Sequence, residues 1–233
     1  MKKHGKKYLE AIKKIAKNKY YNLEEAVTLL PQVSTTKFDS SLEIHIKLTV
    51  DPKQADQQIR NTVVLPHGTG KTVKIIAFVS DDKVKEALEN GAIKAGGAEL
   101  IEEVQKGFLD FDKAIATPDI MKDLAKIAKI LGPKGLMPSP KAGTVSKDVA
   151  KTLGEMMKGR IEYRNDKQGI LHNSIAKISF SKEKLLGNIK EYLKAVKASK
   201  PTSLKGTFIE SITLAPTMGP GIKLDVNTVM KEV

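Results

Sequence analysis

Four short stretches of this chain bring chemically capable residue types close together. Gly68-Thr69-Gly70-Lys71-Thr72 has the ending of a phosphate-cradling loop. A full loop needs a glycine where this chain has Leu65, an apolar strand feeding in and a helix leaving, whereas Thr72 reads as the start of a strand, so no nucleotide-hydrolysing site is expected. The glycines fit a crossover bend better. The histidines His4, His45, His67 and His172 are widely separated without ligand spacing, and neither a nucleophile elbow nor a paired-carboxylate pattern accompanies them. The expectation is therefore no catalytic set, no metal and no cofactor. Residues 131–143, Leu-Gly-Pro-Lys-Gly-Leu-Met-Pro-Ser-Pro-Lys-Ala-Gly, combine fixed and left-handed backbone positions into a shaped surface loop. Its Lys134 and Lys141 suit phosphate contact, and a purely structural connection between helices is the alternative. Lys37-Phe38, and Ser211 with Thr217-Met218-Gly219-Pro220, offer a different chemistry. A phenylalanine beside hydroxyls, backbone amides and a thioether can hold a sugar or base edge while a lysine meets backbone charge. That site requires the two ends of the chain to meet. Phe38 as core and Met218 as packing are the competing readings.

Charge points the same way. The chain has 233 residues and a formal net charge of +13, and residues 71–157 carry 14 cationic against 13 anionic side chains, which leaves nearly all of the excess on the two flanks. Basic ends around a nearly neutral middle suit a polyanion, RNA or DNA, held by the flanks. Only Arg60, Arg160 and Arg164 are arginines among 40 cations, so the bulk field attracts phosphate while a few other residues must supply shape or sequence preference. No cysteine is present, which excludes disulfides and thiolate metal sites and is compatible with a reducing compartment. No apolar run is long enough to span a membrane, and the lysine-rich start lacks the apolar core of a secretory signal.

The elements that must position these residues follow from periodicity. Residues 2–19 place Tyr8, Leu9, Ile12, Ile15 and Ala16 on one helical stripe among lysines. Asn22 with Glu25 predicts a boxed helix start, and Pro31 its stop. Leu42, Ile44, Ile46, Leu48 and Val50 alternate with Glu43, His45, Lys47 and Thr49, a strand with one buried and one wet face. From residue 72 the pattern becomes strand and helix in alternation: a strand over 73–80, a helix capped by Asp81 or Asp82, short strands over 99–104 and 114–117, a helix opened by Pro118 and ended by Gly132, and a helix capped by Ser146. Strands then return over 161–164, 175–180, 207–215 and 222–226, with a helix over 182–196. One convincing strand before residue 66 cannot bury a sheet face alone, so it needs the strands after residue 159. The expected fold is α/β and α+β in two domains: a discontinuous split α/β first domain, 1–66 plus 159–233, with an inserted Rossmann-like parallel α/β second domain, 67–158. Pro66, Gly68, Gly70, Lys158 and Gly159 sit at the crossings and form the expected hinge. The rival functions are a small-ligand α/β enzyme, which would bind nucleotide without RNA, and an architectural basic protein without RNA preference.

Four runs carry a resemblance: Asp51-Pro52-Lys53-Gln54-Ala55-Asp56-Gln57, Leu65-Pro66-His67-Gly68-Thr69-Gly70-Lys71, Leu131-Gly132-Pro133-Lys134-Gly135-Leu136-Met137-Pro138 and Thr217-Met218-Gly219-Pro220. In this order, over essentially the whole chain, the sequence resembles the bacterial form of ribosomal protein one of the large subunit, the family of the mobile stalk beside the exit site. The resemblance implies a non-enzymatic, cytoplasmic, RNA-binding protein of the large ribosomal subunit, monomeric outside the ribosome. Its implied partners are the large-subunit rRNA stalk, exit-site tRNA and its own messenger RNA, whose translation it would repress. Carried over by motif, the rRNA contacts are Lys37, Phe38, Ser211, Thr217, Met218 and Gly219, with Glu43 and His45 added from the adjoining strand. Lys134 and Lys141 would face tRNA, whose movement and release the second domain would assist.

Overall fold

A computed structural model describes residues 5–232, apart from the side chains of Ala55 and Lys141. His4 and the first lysines of the helix expected over 2–19 lie outside the described residues. The chain is mixed α/β with sheets of four, two and three strands among the described residues. It forms two compact units, one combining the residues up to Gly70 with those from Ile161 on, the other spanning Lys71–Arg160.

In the first unit the central strand is β1 (Ser41–Leu48), whose alternation sends Leu42, Ile44, Ile46 and Leu48 fully into the core. It pairs antiparallel on one side with β7 (Ile170–Lys177) and on the other with β8 (Ile209–Pro216), which pairs antiparallel with β9 (Ile222–Leu224). The sheet order is thus β7-β1-β8-β9. An early strand placed between two late ones ties the chain ends into one hydrophobic core. Helices α2 (Leu23–Val33) and α8 (Lys182–Ala198) contribute Leu23, Ala26, Val27, Leu30, Val33, Leu185, Ile189, Tyr192, Leu193 and Val196 to it.

Several local expectations change. The amphipathic stripe shortens to α1 (Lys6–Lys13), where only Ala11 is buried and Leu9 and Ile12 stay exposed. The left-handed Asn18, at φ 65°, lies beyond its end, and Ala16 N–H turns instead to the Tyr21 hydroxyl at 2.8 Å. Asn22 occupies the N-cap position of α2 without a side-chain cap bond, and Glu25 pairs with Lys19 at 3.0 Å in place of a box. Pro31 does not stop this helix: burial of Leu30 and Val33 carries it one turn further. A second early strand, β2 (Arg60–Val64), pairs with β6 (Arg160–Arg164), so the described residues before residue 66 hold two strands. Asn165 links them, its N–H donating to Ile59 O at 3.1 Å and its side-chain oxygen accepting from Ile59 N–H at 2.8 Å. After β9, a short helix α9 (Val226–Glu232) follows, with Asp225 accepting from Asn227 N–H at 3.1 Å and from the Thr228 hydroxyl.

The second unit is a parallel sheet, order β4-β3-β5, built from β3 (Ile75–Phe78), β4 (Lys94–Gly96) and β5 (Lys113–Ala116). All of β3 is buried: Ile76 and Phe78 join one apolar cluster, Ile75 and Ala77 another, as a central strand covered on both faces requires. Helices α3 (Asp81–Glu89) and α7 (Val149–Met157) cover the second cluster, and α4 (Ala98–Gln105), α5 (Met121–Leu124) and α6 (Ala128–Leu131) the first. The strand expected over 99–104 is therefore the helix α4, because Leu100, Ile101 and Val104 share one helical face. The strand in that neighbourhood is the short β4. The helix expected from Pro118 to Gly132 is broken by 3-10 turns at Pro118–Ile120 and Ala125–Ile127, yet Ile120, Leu124, Ile127 and Leu131 all face the core. Asp148, rather than Ser146, caps α7, accepting from Lys151 N–H at 3.1 Å; the Ser146 hydroxyl accepts from Asp148 N–H.

Candidate nucleic-acid interface

The wet face of the four-stranded sheet is laid out by its register. One row across the strands reads His172, His45, Thr213 and Lys223; the next, toward one end, reads Ser174, Glu43 and Ala215; the other neighbour reads Ile170, Lys47 and Ser211. The same alternation that buries Leu42, Ile44 and Ile46 must turn Glu43, His45 and Lys47 outward.

At the Glu43 end two segments remote in sequence are fastened together. Thr217 N–H donates to Ser41 O at 3.0 Å, and the Thr217 hydroxyl accepts from Ser41 N–H at 3.1 Å and lies 3.2 Å from Glu43 Oε1. Beside it, the Thr35 hydroxyl donates to Met218 O at 3.3 Å. Met218 is held at φ 60°, a left-handed conformation costly for a side-chain-bearing residue, and is 76% exposed. Gly219 follows because a Cβ there would collide with the Pro216 ring and reach Val33 O at 3.1 Å. Phe38 is 59% exposed, on the segment between α2 and β1 that also carries the exposed Lys37. Large apolar side chains presented to solvent, on segments tied by hydrogen bonds to the end of a polar sheet face, suit stacking and sugar contact.

The structure thus brings Glu43, Thr217, Met218 and Gly219 together at one end of the face, with Lys37 and Phe38 on the segment leading into it, and puts His45 in its middle. Ser211 is on the same face but six residues along β8 from Thr217, roughly 20 Å away. His45 is not isolated: its Nδ1 stands 2.9 Å from Nδ1 of His172, with the rings edge to face. Glu43 Oε2 is 3.7 Å from His45 Nε2, and Asp166 Oδ2 is 3.6 Å from His172 Nε2. Burial, and then the neighbouring His172, hold His45 below the ordinary histidine pKa, opposed in part by Glu43. Asp166 lies below the usual carboxylate range chiefly because it accepts from Ile170 N–H in the turn before β7. Sequence reasoning missed His172, Thr213 and Lys223 as members of the face, while the alternation of β1 had already put Lys47 on its wet side. The alternation of β8 offered a signal for Thr213, but the register that seats His172 on His45 joins positions 127 apart.

The remaining candidates are explained locally. Lys71 pairs with Asp112 at 2.7 Å and β3 begins only at Ile75, so the glycine-lysine stretch feeds no helix. Gly68, Gly70 and Gly159 all have positive φ. Asn188, fully buried on α8, grips the bend: its side-chain oxygen accepts from His67 N–H at 3.1 Å and its nitrogen donates to Gly68 O at 2.7 Å and Ile175 O at 2.9 Å. In the proline-glycine loop, Leu136 N–H returns to Leu131 O at 3.0 Å and Ser139 N–H donates to the Thr144 hydroxyl at 2.7 Å, while Leu136 and Met137 pack on the core. Lys134 is exposed at its tip, and the side chain of Lys141 lies outside the described residues.

The pattern of the ribosomal protein L1p/L10e family matches residues 30–220. Among relatives, the large ribosomal subunit protein uL1 of Thermosipho melanesiensis is 52% identical, covering 98% of this chain and 99% of its own. That of Kosmotoga olearia is 50% identical over 99% and 100%, and that of Lactobacillus delbrueckii subsp. bulgaricus 49% over 97% of each. A family pattern over most of the chain, together with relatives of this identity along their full length, shows that the chain belongs to the ribosomal protein L1p/L10e family.

Proposed function

We propose that the wet face of β7-β1-β8-β9, with Lys37, Phe38, Glu43, His45, Ser211, Thr217, Met218 and Gly219, binds the stalk region of large-subunit rRNA. Family membership makes the chain a structural, non-catalytic, RNA-binding protein of the cytoplasmic large ribosomal subunit. The observation that carries the site is the pair of exposed apolar side chains, Phe38 and Met218, mounted on segments fastened through Thr35 and Thr217. Folded RNA is recognised by shape, 2′-hydroxyl and phosphate, with Phe38 and the Thr217–Gly219 turn fixing register. The basic flanks add salt-dependent affinity; six phosphate contacts give a logarithmic slope of about −5 on duplex-like RNA.

In this reading the residues 1–66 and 159–233 form the rRNA-binding domain and 67–158 a Rossmann-like insertion that projects toward tRNA. The insertion contacts exit-site tRNA through Lys134 and Lys141, moves about Pro66, Gly68, Gly70, Lys158 and Gly159, and assists release of deacylated tRNA. The protein is a monomer outside the ribosome and represses its own messenger by binding an RNA that imitates the stalk site. No helix of the described residues is long and apolar enough to cross a membrane, and no membrane partner is proposed. Competition among a stalk rRNA fragment, operator-like messenger and tRNA, at fixed salt, tests this function. The stalk fragment should bind tightest and the messenger next, both weakened by Phe38→Ala. Equal affinity for random duplex would refute stalk recognition and leave an architectural basic protein.

A further inference from the structure

The histidine pair has four ring nitrogens and a contact pattern that decides how many protons they hold. Both Nε2 atoms face carboxylates, Glu43 at 3.7 Å and Asp166 at 3.6 Å, which favours a proton on each. The two Nδ1 atoms are 2.9 Å apart, a hydrogen-bond distance that needs one further proton between them. A neutral pair has only two protons, so either two lone pairs confront each other or a bare Nε2 faces an anion. Three protons satisfy every contact and leave a single positive charge. Four would set two N–H groups against each other, and the depressed affinity of His45 for a proton opposes that state. His172 is the more accessible partner, its side chain 50% exposed against 31% for His45, so it is the ring that a phosphate reaches.

The charged groups around the pair are Glu43 and Lys47 from β1, Asp166 from the turn before β7, and Lys223 from β9; β8 contributes the neutral Thr213 and Ser211. Lys47 is directed to Gln168 O. Of these groups the two carboxylates stand directly against the histidine rings, and a positive charge on the pair offsets them where a phosphate would approach. Phosphate near the pair stabilises its charged form, so binding and protonation reinforce each other.

We propose that RNA binding on this face takes up one proton into the His45–His172 pair, which makes His172 a further RNA-contacting residue. The inference rests on the proposed RNA-binding role of the sheet face. Acidification then tightens binding: with one linked proton, affinity rises by up to about tenfold per pH unit across the window where histidine titrates, about pH 7.5 to pH 6.

The test is titration of the full chain with a stalk rRNA fragment from about pH 8 to pH 6. Calorimetry in buffers of different protonation enthalpy reports the protons taken up. The wild type should bind more tightly at the acid end with fractional to full uptake of one proton. His172→Gln and His45→Gln, with unchanged melting, should flatten the profile, each losing stalk affinity most at the acid end. A flat wild-type profile with intact stalk preference would overturn the proton linkage and leave the RNA surface standing. An unaltered slope in His172→Gln would overturn the assignment to this pair. Absence of stalk preference at every pH would remove the underlying reading together with the inference.

Discussion

Replacing Met218 by glycine and, separately, by alanine separates the backbone of the Thr217–Gly219 turn from its side chain. Met218 is 76% exposed and sits at φ 60°, so its side chain adds little buried area to the folded protein while its Cβ strains the backbone. Left-handed geometry costs a side-chain-bearing residue roughly 1–2 kcal/mol, and alanine keeps that cost. Glycine removes it but gives back about 0.4–1 kcal/mol through a freer unfolded chain. Met218→Gly should therefore be more stable than Met218→Ala by up to about 1.6 kcal/mol, each kcal/mol being seen as roughly 2–4 °C in a thermal melt. Both lose the thioether. If Met218 is buried against RNA, each should lose about 1.5–3 kcal/mol of binding, about ten- to a hundredfold, in competition with the stalk fragment. A glycine variant less stable than the alanine one would refute the strain argument. Unchanged affinity in both would remove Met218 from recognition.

Other consequences can be checked directly. Phe38→Ala should leave the melting temperature nearly unchanged, because Phe38 is 59% exposed, yet weaken stalk RNA by about 1–3 kcal/mol of stacking in filter binding or anisotropy. Asn188→Leu strands His67 N–H, Gly68 O and Ile175 O and should cost about 2–4 kcal/mol in urea denaturation, without selective loss of stalk preference in the folded fraction. Asp112, Asp166 and Asp225 all titrate below the usual range, chiefly through hydrogen bonds from Lys71, Ile170 N–H and Thr228 respectively. Their contribution is fully present above the unfolded carboxylate pKa of about 4 and is lost as pH falls below it through the lower folded-state values. Melting temperatures should drop over that window, less so in Asp166→Asn. Replacing residues 71–158 by a short bridge should retain stalk affinity in a protein whose circular dichroism shows it folded.

Much of the fold was legible because burial imposes periodicity. The alternation of β1 specified both its core side and its wet side, and therefore half of the candidate face. The buried run at Ile75–Phe78 announced a central parallel strand. Where local signals misled, tertiary packing decided. Leu100, Ile101 and Val104 look like a short strand until packing on one helical face is available. Pro31 looks like a stop until Val33 finds a buried place beyond it. The strand β2 was invisible because its one buried residue is Val63, and β4 because it is only three residues long. The fastening of the segment before β1 to the Thr217–Gly219 turn, through Thr35 and Ser41, was anticipated from the need of an early strand for partners. The His45–His172 contact was not, since only register determines which residues of distant strands stand opposite each other.

The central claim is that the two chain ends build one RNA-facing surface, and photo-crosslinking tests it most directly. A photoreactive residue placed in turn at positions 38, 218 and 134 of the full chain is irradiated with a stalk rRNA fragment. Positions 38 and 218 should crosslink to the same RNA element, competed by unlabelled stalk RNA, and position 134 should not. Crosslinks confined to position 134, or to different RNA elements from 38 and 218, would contradict the account.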